Sequence, residues 1–198
     1  MLKVLYVHGY NGSPTGNSYT LFNNMLDKYK YELHTIDYNH EDPEGAVASI
    51  RKYVKEHKID LVIGSSLGGF LTLHLYGVMR IAINPCWDPA VELPLIGYTG
   101  PTEAYARMPK RLIATTDEEE EMLCAGCFAQ GDELLGEKYR GIFSRYFRHV
   151  YDIPGGHHVT REAVAKIVNE VIPDLDAETD DYVKKLVGAD NLPIWDKL

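Results

Sequence analysis

Three residue types set far apart in this chain could do nucleophilic chemistry together: Ser66, Asp132 and the histidine pair His157-His158. A serine hydroxyl is a poor nucleophile until a base takes its proton, and an imidazole base needs a third group to hold its tautomer. Ser66 is singled out by its neighbours. Gly64, Ser66 and Gly68 fit G-x-S-x-G, the strand–turn–helix elbow that lifts a serine out of the backbone for attack. So sharp a turn strains the serine and leaves no room for side chains two residues to either side, which is why glycines stand there. Ser65 cannot take the role in the same register, because Ile63 and Leu67 would flank it. The chemistry on offer is acyl transfer through a covalent acyl-enzyme.

The elements that must position these groups can be read from the apolar pattern. Ile59 to Ile63 is an apolar, β-branched run with the composition of a strand buried on both faces, and Leu71, Leu73, Leu75 and Val78 continue past the elbow as a helix. Leu2–Val7, Tyr31–Ile36, Arg80–Asn84, Met122–Ala129 and Arg148–Ile153 read as further strands. Between them lie helices, one with Phe22, Met25, Leu26 and Tyr29 on one stripe and another with Val47, Ile50 and Val54. The latter opens with Asp42-Pro43-Glu44, a cap followed by a first-turn proline and an acid. Thr160 caps a last helix bearing Val164, Ile167, Val168 and Val171, which Pro173 should stop. The expected architecture is therefore α/β: a three-layer, α/β-hydrolase-like sandwich with a mainly parallel sheet of about six strands.

In such a sheet, ligands sit at the carboxyl ends of the strands. The His8-Gly9-Tyr10 loop, Ser66, the Asp132 loop and the His157-His158 loop each follow a strand, so they should converge on one edge. The order serine, acid, histidine is that of the α/β-hydrolases. Asp37 and Asp88 also follow strands and stand as alternative acids. His158 is preferred as the base over His157, on the usual spacing of one residue between the second glycine of the loop and the histidine. The backbone N–H of Leu67, with that of Tyr10 or Asn11, would face a developing oxyanion. Tyr10, Trp87, Tyr98 and Tyr105 are the aromatics expected to line the pocket.

Composition narrows the partners. The chain of 198 residues fits one domain, and a formal net charge of −9 disfavours nucleic acid and anionic membrane surfaces. No apolar run approaches the roughly 20 residues needed to span a bilayer. The first residues read as a strand and not a signal peptide, and three cysteines, an odd number, suggest reduced thiols and a cytoplasmic setting. Cys124 and Cys127 form a C-x-x-C, but residues three apart on a strand point to opposite faces, so they read as buried small hydrophobes and not as a redox or metal pair. No metal or organic cofactor is implied, and oligomeric state is left open. Residues 88–121 break the alternation with four prolines and an acidic run, Asp117 to Glu121. They are expected to form a lid insertion, the run being a solvated face. An acidic tail follows from residue 174.

Several stretches taken together resemble a known family. His8-Gly9-Tyr10-Asn11-Gly12-Ser13-Pro14, Gly64-Ser65-Ser66-Leu67-Gly68-Gly69-Phe70, Ile83-Asn84-Pro85, Gly131-Asp132-Glu133-Leu134-Leu135 and Gly155-Gly156-His157-His158 occur in the order seen in YqiA-like esterases. These are small α/β-hydrolases of the UPF0227 type. The resemblance spans about residues 2 to 172. It implies an esterase acting on a small-molecule carboxylic ester or thioester, with Ser66, Asp132 and His158 as the triad. The family's Gly-Gly-x-His pattern again selects His158. The rival reading is a hydrolase scaffold that has lost activity and serves as a binding protein.

Overall fold

The computed structural model of the chain describes residues 1–135 and 138–187. Six strands are present among the described residues: β1 (Leu2–Val7), β2 (Tyr31–Ile36), β3 (Leu61–Ser65), β4 (Met79–Ile83), β5 (Cys124–Ala129) and β6 (His149–Ile153). They form one sheet in the order β2-β1-β3-β4-β5-β6, and every neighbouring pair is parallel. Parallel pairing needs a crossover between strands, and helices supply it. They are α1 (Asn17–Met25), α2 (Pro43–His57), α3 (Leu67–Leu73), α4 (Pro89–Leu95), α5 (Glu103–Thr115), α6 (Glu118–Met122), α7 (Lys138–Phe143), α8 (Arg161–Lys166) and α9 (Ile172–Val187). Among the described residues no helix is long and apolar enough to cross a membrane.

Because side chains alternate along a strand, each face of the sheet carries its own core. Val4, Tyr6, Leu61, Ile63, Ile81 and Cys127 pack on one side against α1, α8 and α9 through Phe22, Val164 and Leu175. Leu5, Val7 and Val62 face the other side, meeting Val47, Ile50 and Val54 of α2 and Phe70 and Leu71 of α3. Cys124 lies in a third cluster with Phe128, Tyr139 and Phe143, while Cys127 faces α8 and α9. The two thiols thus fall on opposite faces of the sheet. The α2 start is as read: Asp42 caps it by accepting from the Gly45 N–H at 3.0 Å.

Three expectations are corrected. Helix α1 ends at Met25, so Tyr29 leaves the apolar stripe and is 95% exposed. Pro173 does not end its helix. A π-turn over Ile167–Val171, in which Ile172 N–H donates to Ile167 O, widens the chain just ahead of the proline, whose ring then falls in the first turn of α9. The segment expected as a lid, residues 88–121, holds α4, α5 and most of α6, and Leu93, Tyr105 and Met108 from these helices, with Tyr98 between them, are buried in one core with residues of α2 and α3. The acidic run is not wholly solvated either. Asp117 caps α6, Glu118 and Glu121 reach Arg148, and Glu120 pairs with Arg80 of β4, whose side chain is fully buried. Glu137, where a helix was expected to start, and residues 188–198 of the acidic tail lie outside the described residues.

Candidate active site

The carboxyl end of β3 turns abruptly into α3, and the turn is Ser66, with φ +53° and ψ −117°. A non-glycine residue there is strained and persists only when its surroundings hold it. Two glycines make the turn possible. A methyl group on Gly64 would collide with the Gly68 carbonyl and Thr72, and one on Gly68 would collide with the carbonyls of Val7 and His8. The elbow therefore packs directly under the loop after β1. Ser66 N–H donates to Ile83 O at 2.9 Å, and its carbonyl accepts from Phe70 N–H and Cys86 N–H.

Asp132 follows β5 in a tight loop. Its Oδ1 accepts the backbone N–H groups of Leu134 and Leu135 at 2.9 and 3.0 Å, and the His157 Nδ1 lies 3.1 Å from both carboxylate oxygens. Burial alone would raise this carboxyl. The hydrogen bond from His157, those from Leu135 and Leu134, and the attraction of the imidazole outweigh it, holding Asp132 below the usual carboxylate range. An ionised carboxylate can only accept, so the proton sits on Nδ1 and leaves Nε2 free to accept. Nε2 stands 3.0 Å from Ser66 Oγ. Hydroxyl, imidazole and carboxylate form one continuous line, and the imidazole and carboxylate side chains are only 8% and 3% exposed.

The histidine brought to Ser66 is His157, and not the preferred His158. The loop after β6 is gripped at four backbone groups: Gly155 O by Gly131 N–H at 3.1 Å, His157 N–H by Glu133 Oε2 at 3.0 Å, and the carbonyls of Gly156 and His157 by Asn84. With the backbone held there, the His157 ring turns inward. His158, one residue on, is exposed at the cleft mouth with its ring 6.0 Å from that of His157. The alternative acids are elsewhere. Asp37 faces His8 Nε2 at 3.3 Å, and Asp88 begins α4.

The His8-Gly9 loop runs beside the elbow: a methyl on Gly9 would lie 3.2 Å from Ser66 Cβ. It is held by Tyr38, whose hydroxyl donates to His8 O at 2.7 Å and whose ring stacks on the His8 imidazole. Gly12 N–H closes a turn on Gly9 O at 3.0 Å, leaving Tyr10 and Asn11 at its tip, the latter at φ +57°. Beside Ser66 opens a cleft of about 400 Å³. Tyr10 lines it, but Trp87, Tyr98 and Tyr105 are core residues: Trp87 stacks on Tyr146, and Tyr105 donates to His40 O at 2.6 Å. Functional residues that the sequence reading assigned no role are Glu133 and Asn84. Their signal was their position in the Gly-Asp-Glu and Ile-Asn-Pro stretches, each directly after a strand. Among the described residues no cluster of side chains fits a metal ion.

The model of the family described as "Uncharacterised protein family (UPF0227)" matches residues 3–154. The chain belongs to the UPF0227 family. The match takes in Ser66 and Asp132 and stops just short of both histidines. Among solved structures the fold is similar to Est1E from Butyrivibrio proteoclasticus (TM-score 0.69, 16% identity, covering 89% of this chain and 88% of that one). It is also similar to the esterase domain of a Rhodothermus marinus protein (TM-score 0.62, 17% identity, 87% and 84% covered). A third likeness is to MGS-MChE2, an alpha/beta hydrolase enzyme from the metagenome of lagoon sediments at Mar Chica, Morocco (TM-score 0.52, 12% identity, 93% and 91% covered). At these identities the likeness establishes the α/β-hydrolase fold. No curated protein matches the chain.

Proposed function

We propose that this protein is a serine hydrolase that cleaves a carboxylic ester or thioester of a small molecule through an acyl-enzyme. One observation carries the reading: the line from Ser66 Oγ through His157 Nε2 and Nδ1 to Asp132, with contacts of 3.0 and 3.1 Å at the end of a strained elbow. His157 takes the hydroxyl proton as Ser66 attacks the carbonyl carbon, and the ionised Asp132 stabilises the imidazolium. The oxyanion is met by backbone donors. Leu67 N–H, the first of α3, has no intrahelical acceptor, and the Tyr10 or Asn11 N–H completes the pair from the turn beside it. The imidazolium then gives its proton to the leaving alcohol or thiol, and water deacylates Ser66 by the same steps in reverse.

The cleft points to an uncharged substrate. Among the described residues that line it there is no Lys, Arg, Asp or Glu; Tyr, Ser, Asn and His side chains line it together with Ile96, Leu134 and Val159. Of the described lining residues only the imidazoles of His8, His157 and His158 could meet an anion with positive charge, and the formal net charge of −9 disfavours a carboxylate or phosphate. The deciding experiment is labelling with a fluorophosphonate followed by mapping of the modified residue. Modification of Ser66, absent in Ser66→Ala, supports the reading; an unlabelled or differently labelled protein sinks it. Equal turnover of neutral p-nitrophenyl acetate and an ester with an anionic acyl group would refute the neutral-substrate part alone.

A further inference from the structure

Strand β4 lies between the strands that deliver serine and acid, yet no reacting side chain comes from its end. Its first residue beyond the strand, Asn84, is 3% exposed and has φ +42°. Asparagine tolerates this left-handed conformation better than most residues, but at a cost the surroundings must offset. Here they do so with every polar atom of the side chain. Oδ1 accepts Ala129 N–H at 2.8 Å, from the last residue of β5, three before Asp132. Nδ2 donates to Gly156 O and to His157 O, each at 3.2 Å.

We propose that Asn84 is the positioning residue for the base: its carboxamide ties the end of β5 to the backbone of His157 and thereby sets where the imidazole meets Ser66. The kinetic consequence rests on the hydrolase reading above; the geometry does not. Only an amide offers one acceptor and two donors at this reach. A carboxylate would keep the acceptor but turn negative charge on two carbonyls, and an aliphatic side chain would leave the buried Ala129 N–H and the half-buried carbonyls of Gly156 and His157 without their partner. The backbone beside Asn84 grips the other reacting residue. Ile83 O accepts Ser66 N–H, Cys86 N–H donates to Ser66 O, and Asn84 N–H itself donates to Cys127 O at 2.8 Å. Serine and histidine are thus both referenced to one short stretch, Ile83 to Cys86, which fixes the distance between them. Glu133, the second grip on His157, is exposed and acts from the acid loop.

The test uses Asn84→Gly, which keeps the backbone conformation accessible, and Asn84→Asp, which keeps the acceptor for Ala129. Hydrolysis of p-nitrophenyl acetate should lose about ten- to a hundredfold in kcat, the scale of a base misplaced by up to 1 Å, with KM changed by less than about twofold. The downfield proton resonance of His157 Nδ1–H should shift or broaden in both variants. A folded variant with wild-type kcat, or one whose kcat falls while that resonance stays unmoved, overturns the proposal. Should both variants fail to fold, the wild type decides: the Asn84 Nδ2 protons should exchange slowly and show contacts to the α-protons of Gly156 and His157, and their absence refutes the clamp. A wild type that hydrolyses nothing would refute the enzymatic reading, while the resonance still tests the placement.

Discussion

Replacing Asp132 by Asn separates the roles of geometry and charge in the candidate site. The amide oxygen can keep accepting from Leu134 and Leu135 N–H, so the loop should hold. Its amino group would then face His157 Nδ1, which must become an acceptor, and the ring proton moves to Nε2, pointing at Ser66 Oγ. A base that presents a proton to its nucleophile cannot take one. The corresponding change in a serine protease lowers kcat roughly 10⁴-fold, or about 5.5 kcal/mol of transition-state stabilisation. The cost to folding is smaller. Two backbone bonds pass from a charged to a neutral acceptor, about 1 kcal/mol each. At roughly 2–4 °C per kcal/mol for a chain of this size, Tm should fall by about 4–8 °C. A protein with a typical stability of about 5–15 kcal/mol stays folded at 25 °C after such a loss, so unfolding cannot imitate the kinetic effect. Charge also sets the pH response. The Asp132 carboxyl is held below its ordinary value in the folded state, so its contribution to stability is full above that ordinary range and drains away as pH falls through the lowered value. Asp132→Asn should abolish that part of the acid sensitivity. The assays are turnover of p-nitrophenyl acetate and thermal melts of both proteins. A variant within tenfold of wild-type kcat would show that the carboxylate does not set the histidine tautomer.

Three further outcomes follow from the same structure. His157→Ala should lower kcat by about 10³-fold or more, whereas His158→Ala should change it by less than about threefold; the reverse ranking, in the same ester assay, would return the base role to His158. His74, which closes the C-terminal end of α3, is buried, and burial, reinforced by Arg111, Arg80 and Arg51, pushes its imidazole down to about 3. The unfolded chain therefore takes up the proton first, so stability present above about pH 6.5 should fall by about 2 kcal/mol between pH 7 and 5; urea titrations of His74→Phe should lack this slope, and an unchanged slope would assign it elsewhere. Glu120→Ala strands the fully buried Arg80 guanidinium without its carboxylate and should cost about 3–5 kcal/mol in urea unfolding, a loss under 1 kcal/mol showing that the pair is solvated.

Much of the fold was legible because its signals are local. The apolar runs of β1, β3 and β5 are buried on both faces, and Asp42-Pro43-Glu44 caps its helix through a bond between residues three apart. Ser66 was legible because Gly64, Ser66 and Gly68 lie within five residues of one another, although the carbonyls that a methyl on Gly68 would strike, those of Val7 and His8, come from another strand end. The choice between His157 and His158 was not, because it is made by Asn84, Glu133 and Gly131, which approach from other loops and leave no periodic trace. The pocket aromatics failed for a related reason: Trp87, Tyr98 and Tyr105 are apolar enough to be claimed by the core, and only Tyr10 stands on a loop that cannot bury it fully. Pro173 misled because its cost depends on what the preceding turn does.

Among the described residues strand β6 is the outermost on its side of the sheet and is hydrogen-bonded only to β5, whereas the strand that leads into Ser66 is flanked on both sides. Nucleophile and base are therefore anchored in regions of unequal robustness. Lateral support is weakest at a sheet margin, where local opening costs least. Warming should unfasten the imidazole while the hydrophobic interior is still intact, so that catalytic capacity disappears reversibly, as a separate event, before the molecule as a whole gives way.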